Sequence, residues 1–195
     1  TLLMEAVWKV VERRQAEDNE RQAVRSFRML SRCNKAIALA QEDAGLMQEI
    51  CHILVAEGGW RLAWVGLADP GPGKRVRPVA QFGFEDGYLE AIKITWDDSP
   101  TGQGPTGAAI RTGQPVICYN LHTDPRFAPW REEAARYGYA ASIALPLAHK
   151  TGVFGALSLY AADSDALAPD EVDLLRRLAD NLAYKTLTLV ILIPV

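Results

Sequence analysis

The chain has 195 residues, 49% hydrophobic and 23% charged, with a formal net charge of −3. That balance supplies enough apolar side chain for a sizeable core and excludes a disordered polyelectrolyte. It leaves no basic footprint for nucleic acid: the densest cationic cluster, Lys74-Arg75-Val76-Arg77, follows a Pro/Gly turn and reads as a solvated hairpin tip.

Three cysteines, Cys33, Cys51 and Cys118, are widely spaced, odd in number and in no C-x-x-C pair. This argues against a disulfide framework or a thiolate zinc site and fits a reducing cytoplasm. No run of about 18 apolar residues is present, so no membrane contact is expected from this segment. A first residue of Thr1 fits a piece of a longer parent.

Residues 1–26 read as a helical linker: "ERRQAEDNERQ" is polar and free of Gly and Pro, suited to an exposed helix. After it, Ala23, Phe27, Leu30, Asn34 and Ile37 recur at 4-3-4-3 spacing, the a/d stripe of a short coiled coil, with Asn34 placed to fix register. The same stripe also suits a helix lying on its own domain. A second helix is predicted from Asp43 to Glu57, stopped by Gly58-Gly59.

The periodicity then becomes that of strands, predicted at Trp60–Ala68, Arg77–Phe82, a weaker Ala91–Trp96, Pro115–Tyr119, Ala141–Leu147 and Val153–Ala161. Short helices are predicted from Thr106 to Arg111 and from Pro129 to about Tyr137, and a longer one from Pro169 to about Lys185. Strands joined mainly by turns and flanked by helices make an antiparallel α+β domain. The apolar end, residues 186–195, reads as a tail or as the start of a further linker.

One motif invites a wrong conclusion. "TGQGPTG" satisfies G-x-G-x-x-G through Gly102, Gly104 and Gly107. A dinucleotide fingerprint needs a buried strand running into the first Gly and a helix of useful length after the last. Here "DDSPT" intervenes, the helix ends by Arg111, and Pro105 removes an N–H that a pyrophosphate would use. The glycines are read as a tight loop into a short helix.

From about Phe27 to Lys185 the sequence resembles a GAF domain, a bacterial small-molecule-sensing module. The phrases that carry the resemblance are "GQGPTGAAIRTGQPVICYN", "TDPRF", "SIALPLAHKTGVFGALSLY" and "LAPDEVDLLRRLADNLA", in that order. "EGGWRLAWVG" with "ITWDD" looks like GAF domains of sensor histidine kinases and cyclic-di-GMP signalling proteins, and "VERRQAEDNERQAVRSF" resembles the linker that follows a PAS domain in such proteins. The resemblance implies a six-stranded antiparallel sheet, a ligand pocket on one face, end helices on the other, and a homodimer through those helices. It also implies a covalently attached output domain, as in two-component and cyclic-di-GMP proteins.

The same resemblance places Trp64, Phe82, Trp96, Thr106 and Ile110 around the cavity, with Phe127, Trp130 and Tyr139 flanking the helix that leads into Ser142. Aromatic walls with a few hydroxyls suit a small planar or amphipathic ligand; the same aromatics also suit an ordinary core. Asp97 and Asp98 are not expected to share a ligand, because neighbours on an extended segment diverge; capping by Asp98 and Ser99 is the expected role.

Bilin is not expected, since "PWREEAARYGY" carries neither Cys nor His and Cys51-His52 lies on an earlier helix. Haem is not expected either, with His122 in a loop and His149 at a hairpin tip. The N-K-x-F-x-D-E signature of cyclic-nucleotide-binding relatives is absent. A non-catalytic sensor, its ligand unidentified, is therefore expected. Its competitors are a closed structural transmission module and a methionine-sulfoxide-reductase-like enzyme, for which Cys118 lacks an evident resolving thiol.

Overall fold

The computed structural model describes residues 2–41, 43–83 and 87–192. Its elements run α1 (Leu2–Leu39), α2 (Asp43–Ala56), β1 (Leu62–Ala68), β2 (Val76–Gly83), α3 (Tyr88–Ala91), α4 (Pro105–Thr112), β3 (Val116–Cys118), α5 (Arg131–Arg136), β4 (Ala141–His149), β5 (Gly152–Ala161) and α6 (Pro169–Leu192). Five strands form one antiparallel sheet in the order β2-β1-β5-β4-β3. The fold is α+β, with five strands among the described residues rather than the expected six.

The missing strand is a remnant. Residues 88–91, inside or beside the expected Ala91–Trp96 strand, coil into α3, and only Thr95 bridges to Arg75. Two ladder-like bonds survive, Val76 N–H to the Ile94 carbonyl and Trp96 N–H to the Lys74 carbonyl. Beyond them the Thr95 hydroxyl turns to Asp97, Ser99 and Thr101, which bends the chain off the sheet edge.

Side chains alternate along β1, β4 and residues 156–161 of β5, so the sheet separates two cores. Ala63, Val65, Ile143, Leu145, Leu157 and Leu159 face a helical layer built from Met29, Cys33, Ile50, Leu54, Leu178 and Leu182. Leu62, Trp64, Ala156 and Tyr160 face the opposite way, toward α3, α4 and the segment around α5. This second face holds the candidate site.

The end helices lie together on the first face. Helix α1 is a single helix, and its buried residues are Ser26, Met29, Cys33 and Ile37. The predicted stripe is therefore mostly turned away from the domain: Phe27 is 72% exposed, and Asn34 instead accepts a 3.3 Å hydrogen bond from Asn181 of α6. Ser26 Oγ donates to the buried Glu171 carboxylate at 2.5 Å, a second tie between the two helices; burial raises the Glu171 carboxyl above its ordinary value. Helix α6 continues to Leu192, so residues 186–192 extend that helix; residues 193–195 lie outside the described ones. Among the described residues, no helix is long and apolar enough to cross a membrane.

Candidate functional site

The second face is walled by the sheet below and roofed by α3, α4 and residues 125–136. Register sets the floor. Cys118, Ser142, Tyr160 and Leu62 form one cross-strand row, and Ala144, Ser158 and Trp64 form the next. Over this floor the tyrosine rings meet edge-on: Tyr88 lies 5.1 Å from Tyr139, 5.3 Å from Tyr137 and 5.8 Å from Tyr160, centroid to centroid. Phe127 continues the cluster, 6.3 Å from Tyr160 and 5.5 Å from Trp130. Such tilted contacts suit the ring quadrupoles and pack densely.

The packing nearly closes the site. Between Ile94, Gly104, Pro105, Thr106, Phe127, Trp130 and Tyr160 the remaining space is about 10 Å³, at the lower limit for one water molecule. Larger depressions exist, but they are open grooves along α1, away from this face.

The box is not polar-neutral. Thr106 and Ser158 satisfy each other across a 2.9 Å hydrogen bond. Trp64 Nε1, Tyr88 Oη and Ser142 Oγ are buried and make no hydrogen bond. Trp64 and Tyr88 both approach the Tyr160 hydroxyl closely enough to influence its ionisation, without reaching hydrogen-bond geometry. Burial pushes Tyr160 up to about 12 and holds Tyr88 above its ordinary value, so both phenols are protonated donors at neutral pH. An unpaired buried donor or acceptor costs about 1–3 kcal/mol.

The glycine loop is shaped by close approach. A Cβ on Gly107 would collide with the Gly102 and Thr95 carbonyl oxygens, and one on Gly104 with the six-membered ring of Trp130. Asp97 organises the loop from outside. Its Oδ1 accepts from Thr95 Oγ1 at 2.7 Å, Ser99 Oγ at 2.5 Å and Ser99 N–H at 3.1 Å, and those bonds hold the carboxyl below its usual value. The expected capping role of Asp98 thus falls to Asp97. Arg111 clamps the turn by donating to the Asp97 and Gly102 carbonyls.

On the other flank Asp124 caps the turn of residues 125–130, accepting from Arg126 N–H at 2.9 Å and Arg126 Nη2 at 2.6 Å. Arg126 is the main reason its carboxyl is held down at about 2. A carboxyl with a depressed folded value stabilises the fold fully above its unfolded value and loses that contribution as pH falls toward the folded one. Asp124→Asn is therefore expected to flatten the loss of stability between about pH 4 and pH 2, read as urea midpoints across that range. An unchanged acid slope counts against this assignment.

The structure gathers Trp64, Thr106, Ile110, Phe127, Trp130 and Tyr139 on this face, with Ser142 in its floor. Trp96 sits at the rim, its Nε1 donating 3.0 Å to the Asp69 carbonyl and Lys74 Nζ 4.7 Å from its ring centroid. Phe82 is not brought there. It pairs with Ala63, whose side chain belongs to the helical layer, and meets His52 of α2 edge-on. The cause is a bulge: the β1–β2 register shifts between Val65 and Gly66, leaving Val79 unpaired, and one extra residue inverts the face of everything after it. Sequence reasoning missed Tyr88 and Tyr160. The alternation Ala156, Ser158, Tyr160 against Ser142 could have revealed Tyr160; the four-residue α3 offers no periodicity to reveal Tyr88.

Comparison with solved structures finds the same fold. The A. aeolicus nlh2 GAF domain in an inactive state has a TM-score of 0.67 at 16% identity, covering 86% of this chain and 98% of that one. The GAF domain of a phosphoenolpyruvate-protein phosphotransferase (ptsP) from Coxiella burnetii has 0.71 at 16%, covering 85% and 95%. A free methionine-R-sulfoxide reductase from Neisseria meningitidis, in complex with its substrate, has 0.69 at 16%, covering 86% and 92%. No curated protein matches the chain. The profile of the GAF domain matches residues 40–184, a span that holds all five strands and both cores' central residues. The chain belongs to the GAF domain family.

Proposed function

We propose that the chain is a non-catalytic sensory module that binds a small molecule in the aromatic box and passes its state through α1 and α6 to an attached output domain. The observation that carries this reading is the set of unpaired buried groups, Trp64 Nε1, Tyr88 Oη and Ser142 Oγ, on the face where the box lies. A ligand in the box would supply partners for all three; unpaired groups also occur away from this face, at Trp60 Nε1 and Thr186 Oγ1. A sensor histidine kinase or a cyclic-di-GMP protein is the parent we favour, from the sequence phrases alone; the neighbour from a phosphotransferase is a different kind of parent.

A second reading, a structural transmission module, is favoured by the nearly filled interior, with about 10 Å³ remaining. The reductase reading has less support. Cys118 belongs to the aromatic face, while Cys33 and Cys51 sit in the helical core across the sheet, and burial pushes all three thiols up to about 12. A thiol so placed is a poor nucleophile.

Dimerisation through the end helices is part of the proposal. Phe27 stands out beside a groove of about 600 Å³ lined also by Gln22, Ser26, Leu30, Glu171 and Leu174, which suits the knob of a second helix pair. Native mass spectrometry of freshly purified protein tests both parts. A dimer carrying a reproducible small mass is expected, and Phe27→Glu is expected to yield monomer with the thermal midpoint little changed. A ligand-free dimer transfers the weight to the transmission module, and a wild-type monomer removes the dimer.

A further inference from the structure

The way Trp130 closes the site indicates what opens it. Its ring lies over Gly104, where the three atoms an added methyl group would meet first all belong to that ring. Its Nε1 donates 3.0 Å to the backbone carbonyl of Lys93. Trp130 thus occupies the cavity as a ligand would: a flat bicycle, one N–H on its edge, and a main-chain acceptor to receive it. It is carried on residues 125–130, a 3-10 turn with Pro125 and Pro129 outside the strand ladders, tied to β3 by the Arg126 side chain, whose Nη2 donates 3.0 Å to the Ile117 carbonyl.

If Trp130 swings out, the space it leaves adjoins Phe127 and Tyr160, and Tyr160 in turn adjoins the unpaired Tyr88 Oη and Trp64 Nε1. The opened cavity then offers an acceptor at one end, the freed Lys93 carbonyl, and donors at the other. None of the residues lining the present space carries a charge. Arg131, next in sequence, has Nη2 donating to the Asp124 carbonyl and an unpartnered Nε, and it does not line that present space.

Resting on the sensory reading above, we infer that the site takes an uncharged planar heterocycle with an N–H on one edge and a hydrogen-bond acceptor on the opposite edge, which enters by displacing the Trp130 indole from above Gly104. The N–H replaces that of Trp130 at Lys93, and the acceptor receives the donors of Tyr88 and Trp64. A carboxylate or phosphate on the ring would be buried without a cation. The closed form is then the unliganded state of a binding site, and its plug lowers apparent affinity by the fraction of time the site stands open.

The test is isothermal titration of the 195-residue chain with four probes: 1H-quinolin-4-one, its 2-carboxylate, quinoline (acceptor only) and indole (donor only). Quinolin-4-one is expected to bind best, the carboxylate at least about tenfold more weakly. Trp130→Ala removes the plug and is expected to tighten quinolin-4-one about tenfold, while Tyr88→Phe weakens it about fivefold. Gly104→Ala pushes the same ring out by a different route and decides the matter if Trp130→Ala does not fold. Two results overturn the inference while leaving the pocket standing: a carboxylate that binds as tightly as its neutral parent, or plug variants that bind no better than wild type. Failure of all four probes on wild type and on a folded plug variant overturns the pocket reading itself.

Discussion

Replacing Gly107 with alanine is expected to destabilise the protein by about 3 kcal/mol, measured as a loss of urea midpoint at constant slope. The added methyl would press on two main-chain carbonyl oxygens, Gly102 and Thr95, that have no rotamers with which to retreat. Both are held in place. The Gly102 carbonyl accepts from Arg111, and the Thr95 N–H donates to the Thr101 carbonyl at 3.2 Å. Gly45→Ala is the control: it is also helical, meets nothing within 4 Å, and is expected to be neutral or to gain up to about 1 kcal/mol. A Gly107→Ala loss as small as the control's change would mean that the loop is looser than its contacts imply. The pattern that mimics a phosphate-binding fingerprint is thus a packing requirement, with each glycine a place where something must come close.

Trp64→Ala is expected to cost about 3–5 kcal/mol, because the side chain is completely buried between β1's neighbours and the roof. For a chain of this size that is a drop of roughly 10 °C in thermal midpoint. Trp64→Phe keeps most of the packing and deletes only the unpaired Nε1–H, so it is expected to lose far less stability. If the indole N–H serves a ligand, the phenylalanine variant weakens binding while remaining folded. Phe82→Ala provides the contrast. Its ring is 38% exposed on the other face of the sheet, and its removal is expected to cost under about 1 kcal/mol and to leave ligand binding untouched. A Phe82 variant that lost binding would contradict the inverted register of β2.

These two positions show what a linear reading captures here. Trp64 lies three residues into a regular strand, where period-two alternation carries its face forward reliably from Leu62. Phe82 lies beyond an extra residue whose effect is to swap inside for outside, and no local pattern in "VRPVAQFG" marks Val79 as unpaired. The α1 stripe divides in the same way. Spacing alone located an apolar face, but the face that packs on the domain is Ser26, Met29, Cys33 and Ile37, where Met29 and Cys33 are fully buried and Ser26 reaches Glu171 145 positions away in the chain. The closed state of the box was also beyond the sequence. Residues suited to line a cavity are the residues suited to fill one, and only ring-to-ring distances separate the two.

Helix α1 is 38 residues without a break, about 57 Å at the standard rise, and its buried residues begin only at Ser26. The first two-thirds therefore behave as a shaft standing clear of the bearing that holds it. On the sensory reading proposed above, a rotation imposed at Ser26 by a shift of Glu171 would be carried along the helix toward Leu3. What varies is the angle at which it is delivered, and that angle is fixed by residue count. Each seven residues return the helix to nearly the same heading, while each four or three turn it by about a tenth of a revolution or more from that heading. On that reading, the number of residues between Ser26 and the segment the helix joins sets the heading at which a movement in the domain arrives.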